Sequence, residues 1–169
     1  MSRSFDGLTE SPASVDQIHA AFSREDYWLA RIAVGAATAS TTLDSLTVDD
    51  DGTVRVRVVQ HLGPQLLPGL VAKVVPGELK LVHSEMWRPD GEGRVSGEIN
   101  VSTSPGLGSG RAETRLTPTG DGSQLHFAVN VKVKIPLVGG KIEKNIGSNL
   151  VESIPAVLEF TTTWIAENA

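Results

Sequence analysis

The sequence predicts an α+β fold in which a curved antiparallel sheet of about seven strands wraps round one long C-terminal helix, with two short helices after the first strand. Apolar residues recur at spacings of three and four over 141–167, which is one face of an α-helix. Several stretches between 43 and 135 alternate between apolar and polar residues, as strands with one buried face do. A sheet with one apolar face needs a cover, and the long helix supplies it.

The N-terminal region predicts a strand followed by two short helices. Residues 2–10 are interpreted as the first strand of the sheet. Ser14 is the expected N-cap of the first helix, because Gln17 lies three residues later, as in a capping box. The second helix is predicted over 25–34, and Gly35 is expected to end it.

Six more strands are predicted before the long helix. The clearest covers 123–135, where six apolar residues alternate with polar ones, which is the period of a β-strand. Residues 102–110 carry one proline and three glycines and are interpreted as a flexible connection. The other five strands are predicted over 43–48, 53–61, 78–88, 94–101 and 111–117.

The segment 62–77 differs from the strands on either side of it. Pro64, Pro68 and Pro76 exclude a central strand, because proline cannot donate to a sheet ladder. The apolar spacing of 66–75 is typical of a short amphipathic helix. Such a segment is either a lid over a cavity or a plug in the core, and the sequence leaves both interpretations open.

Length and composition narrow the class of protein. At 169 residues the chain is expected to form a single domain over 1–169. The net charge of −5 argues against non-specific nucleic-acid binding and against anchoring to an anionic membrane. There is no cysteine, no run of about twenty apolar residues and no secretory signal, so a cytoplasmic protein without an integral membrane segment is expected. The four histidines share no metal-ligand spacing, and neither a metal nor a cofactor is predicted.

The long helix contains residues that pack poorly. Gly147 lies inside it, and glycine costs about 1 kcal/mol relative to alanine in a helix interior. This glycine is therefore either a site of close packing or room for a ligand. Pro155 lies in the middle of the helix, where proline removes one backbone hydrogen bond and usually causes a kink. The kink is either a simple curvature device or a way to bow the helix around a cavity.

Element order and five stretches of sequence resemble known proteins. A strand, a short helix pair, a six-stranded meander and a long C-terminal helix resemble the helix-grip fold of the START-like superfamily, also described as SRPBCC or Bet v 1-like. Within that superfamily the chain is similar to an actinobacterial family that carries a domain-of-unknown-function label. The stretches with this similarity are 11–19 (SPASVDQIH), 24–31 (REDYWLAR), 66–73 (LLPGLVAK), 135–143 (IPLVGGKIE) and 161–167 (TTTWIAE).

The superfamily resemblance implies a deep cavity between sheet and long helix that takes lipids, sterols, polyketides or other apolar molecules. The leading hypothesis is a protein that binds or transports a hydrophobic small molecule, such as a lipid, a fatty acid or a polyketide-like compound, as a monomer or a homodimer. Analogy at the level of the fold does not choose between carriers and enzymes. The predicted ligand-binding residues are Trp28, Val56, Leu70, Val74, His83, Glu85, Trp87, Ile99, Phe127, Val129, Gly147, Leu150, Val151 and Ile154.

His83 and Glu85 suggest catalysis as an alternative to simple ligand binding. They share a parity with Leu79 and Leu81, so they point into the cavity if those leucines point inward. With the opposite parity, His83 is a surface histidine. A buried imidazole–carboxylate pair suits general acid–base chemistry of the polyketide cyclase or dehydratase type. Binding without catalysis is favoured, no catalytic residue is assigned, and a non-ligand interaction module, such as a dimer that buries 66–75, is the third possibility.

Overall fold

The computed structural model describes residues 2–34, 40–62, 79–104, 106, 108–134 and 139–168, which follow the predicted order of strands and helices. The helices in these ranges are α1 (Val15–Phe22), α2 (Glu25–Val34) and α3 (Gly139–Asn168). The strands are β1 (Ser2–Ser11), β2 (Ser40–Val48), β3 (Val54–Leu62), β4 (Leu79–Gly91), β5 (Arg94–Ser104), β6 (Gly108–Pro118) and β7 (Ser123–Val133).

The seven strands form one antiparallel sheet in the order β1-β7-β6-β5-β4-β3-β2. Strands β2 to β7 are a meander in which each strand pairs with the next along the chain. β1 pairs with β7, so that Ser2 lies opposite Lys132 and Ser11 lies opposite Ser123. The expected antiparallel sheet and long C-terminal helix are therefore confirmed.

Burial alternates along the strands, and it locates their inner face. In β7 every second residue from Ser123 to Val131 is buried, as the sequence alternation predicts. One predicted connection needs correction, because residues 102–104 extend β5 and residues 108–110 begin β6. Gly108 shows why a glycine occurs inside this strand: a Cβ there would lie 2.8 Å from the carbonyl oxygen of Lys132. A close approach of two backbones is a recurrent reason for glycine in a strand.

The predicted capping box at the start of α1 is confirmed. Ser14 Oγ accepts a hydrogen bond from the Gln17 N–H at 3.1 Å, and Gln17 Oε1 accepts one from the Ser14 N–H at 2.9 Å. The two bonds satisfy backbone donors that have no partner within the helix. They hold the chain at the point where it leaves β1 and turns across the end of the sheet.

An aromatic cluster joins the short helices to α3. Phe22, Tyr27 and Trp28 are each at most 4% exposed. The Tyr27 ring lies 5.3 Å from the Trp28 ring and 5.3 Å from the Trp164 ring of α3, both edge-on, which is a favourable geometry for aromatic pairs. This cluster closes one end of the core.

The long helix α3 covers the inner face of the sheet and packs against β1, β7 and α1. Its first turns are fixed by Glu143, which is buried and accepts a hydrogen bond from the Val133 N–H at 2.9 Å. Pro155 lies inside the helix, where it has no N–H to donate to the Val151 carbonyl. The helix is therefore anchored at the end of β7 and lacks one backbone hydrogen bond near its middle.

Two segments that bear on the predictions, 63–78 and 135–138, lie outside the described residues. The choice between lid and plug for 66–75, and the possible dimer surface there, therefore remain predictions. None of the described helices is long and apolar enough to cross a membrane.

Candidate functional site

A cavity of about 120 Å³ lies between the inner face of the sheet and α3. Its wall takes residues from α1, α2, β4, β5, β6, β7 and α3. Most of the wall is apolar, and its larger apolar side chains include Phe22, Trp87, Ile99, Leu125, Val129 and Ile154. Seven polar residues interrupt this surface, namely Arg31, His83, Glu85, Arg111, Thr114, Ser153 and Thr161.

Glu85 is the centre of the polar part of the wall. Its side chain is 1% exposed. Its Oε2 atom accepts hydrogen bonds from Arg31 Nη2 at 2.9 Å and from His83 Nε2 at 2.6 Å. Its Oε1 atom accepts a third from Trp87 Nε1 at 2.8 Å. The period of two along β4 puts three of these residues on one face, and α2 brings the fourth, Arg31.

The pKa of the Glu85 carboxyl is held at about 2. Burial by itself raises this pKa, but the positive charge of Arg31 and the hydrogen bond from His83 outweigh burial. Glu85 is therefore ionised at neutral pH and accepts hydrogen bonds without offering a proton. It orients the three side chains that donate to it.

Arg31 is held on two sides. Its Nη2 atom donates to Glu85, and its guanidinium carbon lies 4.7 Å from the centroid of the Trp28 ring, which is a cation–π geometry. Burial lowers the pKa of Arg31, but the Glu85 carboxylate outweighs burial and raises it, so the group stays charged. Its Nη1 atom is buried and has no hydrogen-bond partner. Buried polar atoms without a partner are rare in native proteins.

The contact between His83 and Glu85 fixes the tautomer of the imidazole. Because the ionised carboxylate only accepts hydrogen bonds, the proton lies on His83 Nε2. In the neutral ring Nδ1 then carries a lone pair. The His83 side chain lines the cavity and is 30% exposed, so a small molecule can reach the ring.

Thr114 brings a hydroxyl to an apolar part of the wall. It lies on β6, opposite Gly97 of β5 and Phe127 of β7. A Cβ on Gly97 would overlap both the Trp87 ring and the Thr114 Oγ1 atom, so this glycine provides the space that both side chains occupy. The Thr114 hydroxyl is buried and has no hydrogen-bond partner.

Tyr27 and Thr161 tie α2 to α3 beside the cavity. Their hydroxyl oxygens are 2.6 Å apart, and Thr161 Oγ1 donates to the Val157 carbonyl at 2.8 Å. Because the single hydrogen of Thr161 is used in this way, Tyr27 is the donor to Thr161. Burial raises the pKa of Tyr27 and Arg31 opposes this shift, so the phenol is neutral at physiological pH.

Six of the predicted ligand-binding residues line the cavity. On β4, the observed parity is the one in which His83 and Glu85 point inward together with Leu79. Leu79 is buried, and both His83 and Glu85 lie on its side of the strand. Whether these residues bind a ligand remains a prediction. The six residues are His83, Glu85, Trp87, Ile99, Val129 and Ile154.

Trp28 and Val56 lie in the core outside the cavity wall. The Trp28 ring sits behind the Arg31 guanidinium, and its Nε1 donates to the Phe22 carbonyl at 2.7 Å. Val56 points inward from β3, opposite Glu85 in the register, and is 2% exposed within the main core cluster. The strand period predicts the inward face of Val56, but β3 does not reach the cavity wall.

Phe127 and Val151 also lie outside the wall. The Phe127 ring covers Gly7 of the neighbouring strand β1, where a Cβ would overlap it. Val151 is half-buried and packs against the small core cluster that contains Phe127. Both residues belong to the packing between α3 and the β1 edge of the sheet.

The structure does not describe the side chains of the remaining four predicted ligand-binding residues. Leu70 and Val74 lie outside the described residues. Gly147 and Leu150 lie on α3, but the structure describes the burial of neither.

Sequence reasoning does not assign Arg31 and Thr114 as ligand-binding residues, although both carry unpaired buried atoms in the wall. A signal for Thr114 was present, because it occupies an inward position of β6 between the apolar residues Ala112 and Leu116. The place of Arg31 beside Trp28 on the predicted second helix was a signal for a residue at the mouth of the cavity, but its pairing with Glu85, 54 residues away in sequence, had none. The described residues contain no cluster of three or more His, Cys, Asp or Glu side chains that could hold a metal ion.

Comparison with known proteins places these features in a family. The profile of a family described as "Protein of unknown function (DUF2505)" matches residues 8–165. Uncharacterized protein Rv0481c of Mycobacterium tuberculosis is 36% identical over 174 residues, which cover 99% of this chain and 99% of that protein.

Solved structures share the architecture. Ara h 8.0201 superposes with a TM-score of 0.61 at 10% identity, over 99% of both chains. A START superfamily protein from Mycobacterium smegmatis superposes with a TM-score of 0.52 at 13% identity, over 98% of this chain and 99% of that one. At these identities the likeness concerns the fold alone. The fold is the Bet v 1-like helix grip.

Proposed function

This chain belongs to the DUF2505 family of proteins of unknown function, and from that premise we propose that it binds an apolar small molecule between its sheet and α3. The supporting observation is a cavity whose wall is mostly apolar but contains one fixed polar cluster around Glu85. Small-molecule sites commonly combine an apolar surface with a few placed polar groups. The apolar wall would supply affinity at about 25 cal/mol for each Å² buried, and the polar cluster would orient the ligand.

The size of the cavity favours a compact group over a long chain. Its volume of about 120 Å³ is below the roughly 300–1,000 Å³ of sites for drug-sized ligands. It is closer to a cavity of about 150 Å³ that binds benzene. We therefore favour a polyketide-like compound, of which one ring occupies the cavity, over a lipid whose acyl chain is fully enclosed.

Binding of ring-sized probes tests this proposal. Toluene and acetophenone are titrated into purified protein by calorimetry, and native mass spectrometry with solvent extraction searches for a co-purified ligand. Ala112 lines the cavity from β6, so Ala112→Leu fills part of it and is expected to weaken probe binding at least about tenfold, which is about 1.4 kcal/mol.

Ala128 provides the matched control. It lies on β7 with its side chain on the exposed outer face of the sheet, so Ala128→Leu adds the same group away from the cavity. Probe affinity is expected to remain within about twofold of the wild type, because surface substitutions have small effects. Absence of binding by every probe, together with no co-purified molecule, would contradict the proposal.

Catalysis is the second candidate, and the 2.6 Å contact between His83 and Glu85 favours it. With Nε2 protonated and held by Glu85, the Nδ1 lone pair of His83 is available as a general base. The reaction class would be proton abstraction from a carbon next to a carbonyl, as in cyclase or dehydratase chemistry. The proton passes to Nδ1, and the electron pair passes to the carbonyl oxygen as an enolate.

Deuterium exchange tests catalysis without knowledge of the natural substrate. Acetophenone is incubated with the protein in D₂O, and loss of the methyl proton signal is followed by NMR. His83→Gln is expected to slow protein-dependent exchange at least about a hundredfold if His83 is the base, because general base catalysis contributes about 10²–10⁴-fold. Equal exchange with and without the wild-type protein would leave binding as the function.

A further inference from the structure

Two buried polar atoms in the cavity wall have no hydrogen-bond partner. They are Arg31 Nη1 and Thr114 Oγ1. A buried donor or acceptor without a partner destabilises the folded state about as much as the loss of one hydrogen bond does. Such groups therefore require an explanation. The two atoms come from elements on different sides of the site, α2 and β6.

A continuous set of contacts connects the two residues along the cavity wall. Thr114 Oγ1 and the Trp87 ring both stand over Gly97. Trp87 donates to Glu85 Oε1, and Arg31 donates to Glu85 Oε2. Thr114 and Arg31 are therefore linked through Trp87 and Glu85, and all four residues line the cavity.

The charges in the wall indicate which chemical group would satisfy these atoms. The charge of Arg31 is already balanced by Glu85 at 2.9 Å. The other arginine of the wall, Arg111, pairs with Glu98 and Glu113 through a side chain that is 55% exposed. A carboxylate in the cavity would approach the Glu85 carboxylate without a second buried arginine or a lysine in the wall to balance it, and like charges at short range repel strongly in a buried site. An uncharged oxygen needs only an N–H or O–H donor.

We propose that Arg31 and Thr114 form a subsite for an uncharged ligand oxygen, in the form of a carbonyl attached to a ring-sized apolar group. The Thr114 hydroxyl donates to this oxygen, Arg31 Nη1 is a second unpaired donor in the same wall, and the ring occupies the space beside Trp87 and Ile99. The inference rests on the proposed binding function and adds the chemical class of the ligand. It also explains why a buried threonine hydroxyl is left without a protein partner.

Three probes of similar size test the subsite by calorimetry: acetophenone, which has the carbonyl, ethylbenzene, which lacks it, and benzoate, which is anionic. The wild-type protein is expected to bind acetophenone about tenfold more tightly than either of the others, as one hydrogen bond to a charged donor allows. Thr114→Val removes the hydroxyl and keeps the shape. It is expected to weaken acetophenone binding about fivefold, to leave ethylbenzene within about twofold, and to leave the urea midpoint equal or higher.

Thr117→Val is the matched control. Thr117 lies on the same strand and also has a buried hydroxyl without a partner, but it does not line the cavity. Both affinities are expected to remain within about twofold of the wild type. Equal affinity of the wild type for acetophenone and ethylbenzene, tighter binding of benzoate, or an equal loss for both neutral probes in Thr114→Val would each overturn the subsite. Absence of binding by all three probes would overturn the subsite and, if no molecule co-purifies with the protein, the proposed function with it.

Discussion

Glu85 shows how one buried residue organises others. Its carboxylate accepts from Arg31, His83 and Trp87, so a guanidinium, an imidazole and an indole are all oriented by one side chain. A buried ion pair is weak support for stability, because desolvation opposes the attraction between the charges. Its value here is geometric, since it fixes which face of Arg31 and which tautomer of His83 the cavity receives.

Removal of the Glu85 charge is expected to destabilise the protein. Glu85→Gln leaves the Arg31 guanidinium, whose side chain is 19% exposed, without its counter-ion. The expected loss is about 3 kcal/mol in the free energy of unfolding, measured by urea denaturation. Glu98→Gln is the control, because Glu98 pairs with Arg111 on the exposed outer face, and a change within about 0.5 kcal/mol is expected. An equally small effect of Glu85→Gln would mean that Arg31 does not depend on Glu85.

The free energy of unfolding at low pH is also expected to depend on Glu85. The pKa of Glu85 is about 2 in the folded protein and 4.5 without the fold. A lowered folded pKa gives stability that is present above about pH 4.5 and is lost as the pH falls towards 2. Glu85→Gln cannot lose this contribution, so the difference in unfolding free energy between wild type and variant is expected to narrow by about 3 kcal/mol across that window. Urea titrations at pH 6, 4.5 and 2.5 measure it, and a constant difference would contradict the assigned pKa.

At the scale of residues, alternation predicts which face a side chain occupies but not which partner it meets. The parity of β4 is enough to direct His83, Glu85 and Trp87 inward. The link from Glu85 to Arg31 depends on how α2 crosses the sheet, and no local pattern contains that. Phe127 likewise has the predicted inward parity, but its position over Gly7 follows from the pairing of β7 with β1.

At the scale of elements, a hydrogen bond to Glu143 attaches the start of α3 to the end of β7. Glu143 is 1% exposed, and its carboxylate accepts the Val133 N–H at 2.9 Å. Glu143→Ala removes the acceptor and leaves a partly buried backbone donor unsatisfied, which is expected to cost about 1 kcal/mol. Faster hydrogen exchange at the Val133 amide would locate the effect.

Two variants separate this hydrogen bond from other effects in the same helix. Glu143→Gln keeps an acceptor oxygen and is expected to retain most of the slow exchange at Val133. Lys144→Ala changes the next residue, which is exposed, and is expected to have little effect. Unchanged exchange at Val133 in Glu143→Ala would show that the helix is held by its apolar face alone.

Element bounds follow the sequence where side chains dictate the conformation. The capping residues Ser14 and Gln17 predict the start of α1 because their hydrogen bonds are local. The glycines near 108 point to a loop by composition, yet β6 begins there. That strand tolerates them because its backbone lies against β7, which is information about a neighbour that local composition does not carry.

For the whole molecule, the single predicted domain implies a single unfolding transition. Trp28 on α2, Trp87 on β4 and Trp164 on α3 are each at most 9% exposed, so tryptophan fluorescence reports on the contact of sheet and helices. Urea unfolding followed by fluorescence and by far-UV circular dichroism is expected to give coincident curves, which is the test of a two-state transition. Separate midpoints would indicate two independently stable units.

The overall architecture is predictable because its periodic patterns are long and unbroken. The alternation in β7 and the helical spacing of α3 leave few alternatives for a sheet that must be covered. The depth of the cavity cannot be predicted from such patterns. It depends on where Gly97 and Gly110 leave space and where Trp87 fills it, which requires the register of several strands.

The pairing of β1 with β7 determines when this fold can form. Ser11 meets Ser123 and Ser2 meets Lys132, so β1 has no partner on this side until β7 has been synthesised. At about 5–20 residues per second, more than 100 residues of synthesis keep β1 without that partner for roughly 5–20 s on the ribosome. Contacts so distant in sequence also slow refolding, which for sheets of this kind takes on the order of milliseconds to seconds. A nascent chain released before residue 123 would therefore expose one edge of the meander and lack the helix that covers it.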